Sequence, residues 1–201
     1  IKQATKLKEM AESLGADGEG ASGLGLLQLT LNDETGIKTL EAAFEKDPES
    51  AQVGGSLATG YLSSGKFKEA INLGEQMIKQ GKIGEGKMLQ SIALSRMGKY
   101  SESLSLLGEV LVIEPENMVA KIATIENLLA NNQRDDAQRK MSSWAVGELA
   151  PPLYRAYVAG ERTSGGQESM IIGSQFINKL LTSDKKATPQ AKLVVAQSQF
   201  V

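Results

Sequence analysis

The sequence predicts an all-α fold, an α-solenoid built from consecutive antiparallel helix pairs. A short motif indicates this first, because residues 65–70 (Gly-Lys-Phe-Lys-Glu-Ala) return 33 positions later as residues 98–103 (Gly-Lys-Tyr-Ser-Glu-Ser). Three series of small or apolar residues follow the same period. They are Gly36, Ala70, Ser103 and Ala137; Leu40, Gly74, Leu107 and Met141; and Ala43, Met77, Val110 and Trp144. Repeats of this length fold as supersecondary units that stack on their neighbours.

A tight turn is predicted between the two helices of each pair. Gly65 and Gly98 are expected to end first helices, since glycine adopts the left-handed backbone without steric cost. Asn132 occupies the same place in the next copy, and asparagine tolerates that conformation. Residues 31–34 (Leu-Asn-Asp-Glu) should form the corresponding turn of the preceding copy, although they contain no glycine.

Proline is predicted to end the second helices. Pro48 and Pro115 lie 67 residues apart, which is two periods, and each pushes the residue before it out of the helical region. Ser50 and Asn117, two residues after each proline, are suitable N-caps for the helix that follows.

Small residues are expected where the two helices of a pair cross. Close helix packing requires small side chains at the contact, so Ala58 should meet Ala70, and Ser91 should meet Ser103.

These positions resemble the tetratricopeptide (TPR) repeat family. Its pattern of small, large apolar, turn and small residues is matched in three consecutive units. The matching residues are Ala58, Tyr61, Gly65 and Ala70; Ser91, Leu94, Gly98 and Ser103, closing at Pro115; and Ile125, Leu128, Asn132 and Ala137. An ankyrin array would carry a Thr-Pro-Leu-His turn, and the chain has no histidine.

We expect one TPR-like solenoid over residues 1–201. Its units are predicted at about 1–15 (a half unit), 17–50, 51–83, 84–117, 118–150, 151–187 (degenerate) and 188–201 (a half unit). The half units at both ends would be cuts through a longer solenoid. Within the degenerate unit, helices are expected at 153–159 and 170–181, joined by a long connector at 160–166.

Composition argues against several classes of function. A net charge of −2 and a pI near 5.4 provide no basic field for nucleic acid. No apolar run approaches the roughly 18 residues of a transmembrane helix. The chain contains neither histidine nor cysteine, which excludes the Ser-His-Asp and Cys-His nucleophile systems and the common zinc sites. We therefore predict no catalytic residues, no metal site and no cofactor, and expect that the protein is not an enzyme.

Two glycine-rich segments resemble phosphate-binding loops. Residues 18–23 satisfy G-x-G-x-x-G, and residues 81–87 approach a P-loop, but Met88 stands where a Ser or Thr should bind magnesium. No strand pattern precedes either segment, so both are interpreted as turns between repeats. The acidic pairs 33–34 and 135–136 are assigned to helix starts, where carboxylates complement the helix dipole. Trp144 is assigned to the repeat core.

The TPR resemblance implies a protein-binding concave surface lined by the first helix of each unit. The candidate partner-binding residues are Gln52, Thr59, Leu62, Glu85, Met88, Ile92, Ile122 and Glu126. The Lys, Asn and Arg clamp of TPR domains that hold chaperone tails is absent from these positions. An apolar or weakly basic protein segment is the expected ligand. The alternative, that these side chains pack against a neighbouring repeat, stays open.

Residues 29–43, followed by residues 47–50 (Asp-Pro-Glu-Ser), are similar to one TPR family in particular. It is the TPR-repeat lipoprotein family of the PEP-CTERM/exosortase system in Gram-negative bacteria that make exopolysaccharide, and residues 61–70 and 90–104 support the match. The resemblance implies a periplasmic or outer-membrane-associated scaffold for protein sorting or exopolysaccharide export, lipid-anchored in the full-length protein. The alternative is a cytoplasmic regulatory or adaptor TPR module.

Overall fold

The structure, a computed structural model, describes residues 18–145 and 150–183. Throughout these ranges every regular element is an α-helix. The helices are α1 (Gly18–Thr30), α2 (Thr35–Lys46), α3 (Ala51–Ser63), α4 (Phe67–Lys79), α5 (Ile83–Arg96), α6 (Tyr100–Ile113), α7 (Met118–Ala130), α8 (Arg134–Trp144) and α9 (Ala150–Ser183). The predicted all-α fold of antiparallel helix pairs is confirmed. The helices predicted before residue 15 and after residue 188 lie outside the described residues.

The chain divides into two compact units, residues 1–89 and 90–201, and the division falls inside α5. In the first unit α1 packs on α2, and α3 contacts α1, α2 and α4. In the second unit α7 contacts α6, α8 and α9. Within each unit, neighbours in sequence are therefore neighbours in space.

The turns inside the pairs have the backbone that the sequence predicts. Gly65 and Gly98 have φ values of 70° and 76°, and Asn132 takes the same left-handed conformation at 58°. Asn32 does so at 57° in the turn without a glycine. In each turn the next amide donates to the carbonyl oxygen five positions back at 2.8–2.9 Å, as in a Schellman cap. Asparagine thus substitutes for glycine in two of these turns.

The predicted helix ends and caps are also present. Helix α2 ends before Pro48 and α6 ends before Pro115. The side-chain oxygen of Ser50 accepts a hydrogen bond of 3.3 Å from the amide of Val53. The side-chain oxygen of Asn117 accepts one of 2.9 Å from the amide of Ala120. Each cap satisfies a backbone donor that has no partner within its helix.

Small residues lie where paired helices approach each other. The hydroxyl of Ser103 donates to the carbonyl oxygen of Ser91 at 2.8 Å, as the spacing predicts. In the first described pair the contact is made by two glycines. A Cβ added at Gly36 would lie 2.6 Å from the carbonyl oxygen of Gly25, so no larger residue fits without a backbone shift. This explains why the periodic series begins with a glycine.

Two predicted loops are wrong in part. Residues 18–23 form the first turns of α1 and are not a turn between repeats. In the segment 81–87 only the start is a turn, with φ of 86° at Gly81, because α5 begins at Ile83. Gly86 is helical, and an added Cβ would lie 2.5 Å from the carbonyl oxygen of Gly74. Its glycine therefore permits close packing of α4 and α5.

The expected long connector at residues 160–166 is likewise largely helical. Within α9 only Gly166 leaves the helical region, with φ of 69° and ψ of −155°. Gly160 contacts α7, since an added Cβ would lie 2.6 Å from Cδ1 of Leu129. Gly160, which indicates a loop in the sequence, is thus a packing residue. The helix α9 consists of two helical segments joined at Gly166.

The second unit has a continuous apolar core. It consists of Ile125, Leu128, Leu129, Ala137, Met141, Leu153, Tyr154, Tyr157, Val158, Ile177 and Leu181. Trp144 is half-buried and packs against its margin, consistent with its assignment to the repeat core. The ammonium groups of Lys140 and Lys121 lie 5.0 and 6.0 Å from the centre of the Trp144 ring.

Candidate functional site

The predicted binding residues of the first unit lie on outward faces of α3 and α5. Gln52 and Thr59 are exposed and Leu62 is half-buried, while the other side of α3 buries residues such as Val53 and Leu57. Positions seven and three apart share one helix face, which explains why these three side chains are left outside the core. The predicted positions on α5 are also outside the core, since Glu85 is exposed and Met88 is half-buried.

The predicted binding residues of the second unit lie on α5 and α7. Ile92 and Ile122 are half-buried, and Glu126 is exposed. Val119 belongs to the same face of α7, three residues before Ile122, and 60% of its surface is exposed. We call Val119, Ile122 and Glu126 the α7 face. It presents two apolar side chains and one carboxyl group.

The charge of Glu126 is perturbed by its surroundings. Partial burial raises the pKa of its carboxyl group, and the nearby positive charge of Arg96 opposes that shift. Desolvation therefore outweighs the cation. A carboxylate in this position gains from a cationic or hydrogen-bonding group supplied by a ligand.

The first unit also has a groove of about 1000 Å³ at the turn end of its helix pairs. Residues from α1, α2, α3 and the two adjoining turns line it, and of the predicted binding residues it includes Thr59. Asp33 lies in its wall and accepts hydrogen bonds from the Thr35 amide at 3.0 Å and the Thr35 hydroxyl at 2.7 Å. This carboxylate therefore organises the start of α2.

The second acidic pair, Asp135 and Asp136, lies in the first turn of α8, and Asp136 pairs with Arg139 one turn later. Within residues 18–145 and 150–183, no group of three His, Cys, Asp or Glu side chains is arranged to hold a metal ion. Asp136 also accepts a hydrogen bond of 3.4 Å from Nε2 of Gln133, the residue before α8.

A buried polar network in the second unit was not predicted. Glu161 is fully buried. Its carboxylate accepts hydrogen bonds from Arg134, one from Nε at 2.9 Å and one from a terminal nitrogen at 2.8 Å. The same guanidinium donates to Ser169 at 2.9 Å, beyond the break at Gly166. Arg134 thus connects α8 to both segments of α9.

Tyr157 completes this network. Its hydroxyl donates to Glu161 at 2.8 Å and accepts from the Gln138 amide at 3.1 Å. Burial raises the pKa of Tyr157, the Gln138 hydrogen bond lowers it, and the Glu161 charge raises it further. The phenol stays protonated and can donate to the carboxylate. Since its members come from α8 and from both segments of α9, this network connects these helices.

Comparison with known proteins identifies the fold. No family model matches the chain, and no curated protein matches it significantly. Among solved structures, a thermophilic TPR protein from Thermus thermophilus aligns with a TM-score of 0.61 at 16% identity, over 92% of this chain and 100% of that one.

The chain has the TPR fold. By the unit boundaries predicted from the sequence, α1, α3, α5 and α7 are first helices, and α2, α4, α6 and α8 are second helices. The candidate binding residues all belong to first helices. None of the described helices has the length and apolar character needed to span a membrane.

Proposed function

We propose that this chain is a non-catalytic TPR scaffold that binds a segment of a protein partner along the faces of its first helices. The observation that carries the proposal is the α7 face. Val119 leaves 60% of its surface in water beside the half-buried Ile122, which also packs against the core of the second unit. Exposed apolar surface of this kind is typical of interaction surfaces.

The chemistry of the α7 face favours an apolar segment that carries a basic group. Val119 and Ile122 gain from burial against apolar side chains, at about 25 cal/mol for each Å² removed from water. Glu126 would then be further desolvated, which is costly for a carboxylate without a partner. A lysine or arginine of the bound segment would offset that cost. This supports an apolar or weakly basic ligand.

The proposed cellular role is that of an envelope scaffold. Residues 29–43 and 47–50 resemble the TPR lipoproteins of the PEP-CTERM/exosortase system, and they include the end of α1, the turn after it, most of α2 and the cap of α3. On that basis we propose a periplasmic or outer-membrane-associated location, a lipid anchor on the full-length protein, and a role in protein sorting or exopolysaccharide export.

Charge insertion tests the binding face. The tagged protein is incubated with envelope extract of its native cells, and the retained protein is quantified for the wild type, Ile122→Glu and Val112→Glu. Val112 is the matched control, because it is 82% exposed but lies on α6, a second helix. We expect Ile122→Glu to reduce retention about ten-fold and Val112→Glu to leave it unchanged, since a buried unpaired carboxylate is strongly unfavourable. Equal retention by all three proteins would refute the face assignment.

Fractionation tests the cellular role separately. We expect the native protein to be released with the periplasm or retained with outer membranes when cells are converted to spheroplasts. Recovery with the cytoplasm would refute the envelope role and favour the adaptor alternative, while leaving the binding face untouched.

A further inference from the structure

The first unit has a second cavity, which opens between two of its second helices. It has a volume of about 440 Å³ and opens between α2 and α4, both of which are second helices. Its base is apolar and includes Leu57 and Leu73, each 3% exposed. Phe44 of α2 and Tyr61 of α3 add two aromatic rings to its lining. None of the candidate partner-binding residues of the first helices is among its lining residues.

The rim of this cavity is acidic. Glu41 and Glu45 come from α2 and Glu69 from α4, and no lysine or arginine is among the described residues that line it. Glu41 and Glu45 are one turn apart and therefore share one side of α2, which also carries Phe44. The lining combines negative charge with aromatic and apolar surface.

The negative charge of the lining also acts on the buried Tyr61 side chain. Its hydroxyl donates to Oε1 of Glu41 at 3.0 Å, and the ring is 9% exposed. Burial raises the pKa of the phenol, the Glu41 hydrogen bond and charge raise it further, and the charge of Glu69 adds to the shift. Carboxylates from both helices therefore act at one point inside the cavity.

The carboxylates do not form a metal site. The described residues contain no group of three acidic side chains close enough to hold one metal ion. Charges spread around an aromatic cavity are better matched by a large, delocalised cation. Arginine has such a group, since its planar guanidinium stacks on aromatic rings and pairs with carboxylates through several N–H donors.

We propose that the cavity between α2 and α4 is a second binding site, which receives an arginine side chain from a basic segment of a protein partner. The guanidinium lies beside Phe44 and Tyr61, and the aliphatic stem of the arginine packs against the apolar part of the lining. Glu45 and Glu69 pair with it from the two sides. Glu41 holds the Tyr61 hydroxyl and contributes charge.

Peptide titration tests this site. The probe is a fluorescein-labelled peptide, Gly-Ser-Arg-Gly-Arg-Gly-Ser, compared by anisotropy with versions that carry lysine or citrulline in place of arginine. We expect the arginine peptide to bind, the lysine peptide to bind more weakly, and the citrulline peptide, which keeps the shape but loses the charge, to bind about ten-fold more weakly. Equal binding of the arginine and citrulline peptides would overturn the proposal.

A charge-matched pair of variants separates the cavity from the general acidity of the protein. Glu45→Gln/Glu69→Gln should weaken binding of the arginine peptide about ten-fold. Glu19→Gln/Glu75→Gln removes the same charge from exposed residues outside the cavity and should change binding less than about two-fold. Equal losses in both double variants would refute the site.

Two further measurements locate the bound side chain. Phe44→Leu keeps an apolar residue but removes the ring, so it should abolish the preference for arginine over lysine. The ring resonances of Tyr61 should shift during titration with the arginine peptide. Binding without that shift would place the peptide elsewhere and overturn the proposal.

Discussion

Gly36→Ala tests the crossing of the first described helix pair. A Cβ at this position would lie 2.6 Å from the carbonyl oxygen of Gly25, 2.7 Å from Cγ of Leu29 and 3.0 Å from the Leu29 amide nitrogen. Since two of these atoms belong to the backbone, no rotamer change relieves the contact, and α1 and α2 must separate. Overpacking of this kind costs up to about 3 kcal/mol.

Helix propensity acts in the opposite direction. Alanine is favoured over glycine inside a helix by at most about 1 kcal/mol, which leaves a net loss of about 2 kcal/mol for Gly36→Ala. For a chain of this length, 1 kcal/mol changes the melting temperature by about 2–4 °C, so we expect a decrease of about 4–8 °C. Thermal unfolding followed by far-UV circular dichroism measures it.

Gly108→Ala is the matched control. Gly108 lies in α6, and a Cβ added there would meet no described atom within 4 Å. The same chemical change should therefore stabilise the protein by up to about 1 kcal/mol and raise the melting temperature by about 2–4 °C. An increase for both variants would show that α1 and α2 do not cross at Gly36, and the packing argument would fail.

Three further predictions concern a turn, a cap and a carboxyl group. Asn132→Val should cost about 1–3 kcal/mol in urea unfolding, because a β-branched residue is strained at φ of 58°, whereas Asn132→Gly should cost nothing; equal stability of the two variants would contradict the left-handed turn. Asn117→Ala should lose about 1 kcal/mol by the same assay, and no loss would mean that its bond to the Ala120 amide contributes nothing. Because the pKa of Glu126 is raised by folding, its ionisation costs stability at neutral pH, and this cost disappears below the unfolded pKa of about 4.3. Glu126→Gln should therefore raise the melting temperature at pH 7 and leave it unchanged near about pH 3, and a decrease at pH 7 would contradict the direction of the shift.

Local chemistry made much of the fold predictable from the sequence. The turns at Gly65 and Asn132 depend on which residues tolerate positive φ, and the caps at Ser50 and Asn117 depend on a side-chain oxygen three residues before its donor. Each of these signals involves neighbours in the chain. The 33-residue period then places them in order, so the helix pairs follow.

Glycines in helices misled the prediction. Residues 18–23 and Gly160 read as loops because glycine is unfavourable inside a helix by about 1 kcal/mol. At Gly160 the structure gives the competing cause, since the side chain of Leu129 occupies the space that a Cβ would fill. Tertiary packing overrides local propensity at this position, and a single sequence does not contain that information.

The unpredicted sites combine residues distant in sequence. Arg134 and Glu161 are 27 positions apart, and the second falls in the degenerate last unit, where no repeat register predicts a partner. The cavity between α2 and α4 combines Glu41 with Glu69 across an intervening helix. The sequence shows acidic residues on each second helix, but their convergence with Tyr61 appears only in the structure.

Site-specific photo-crosslinking is the most direct test of the central claim that a partner binds along the first helices. Benzoylphenylalanine is placed at position 122 on α7 or at position 112 on α6, and the protein is irradiated in envelope extract. We predict that a partner is crosslinked from position 122 and not from position 112. Crosslinking from position 112 alone, or from neither position, would contradict the claim.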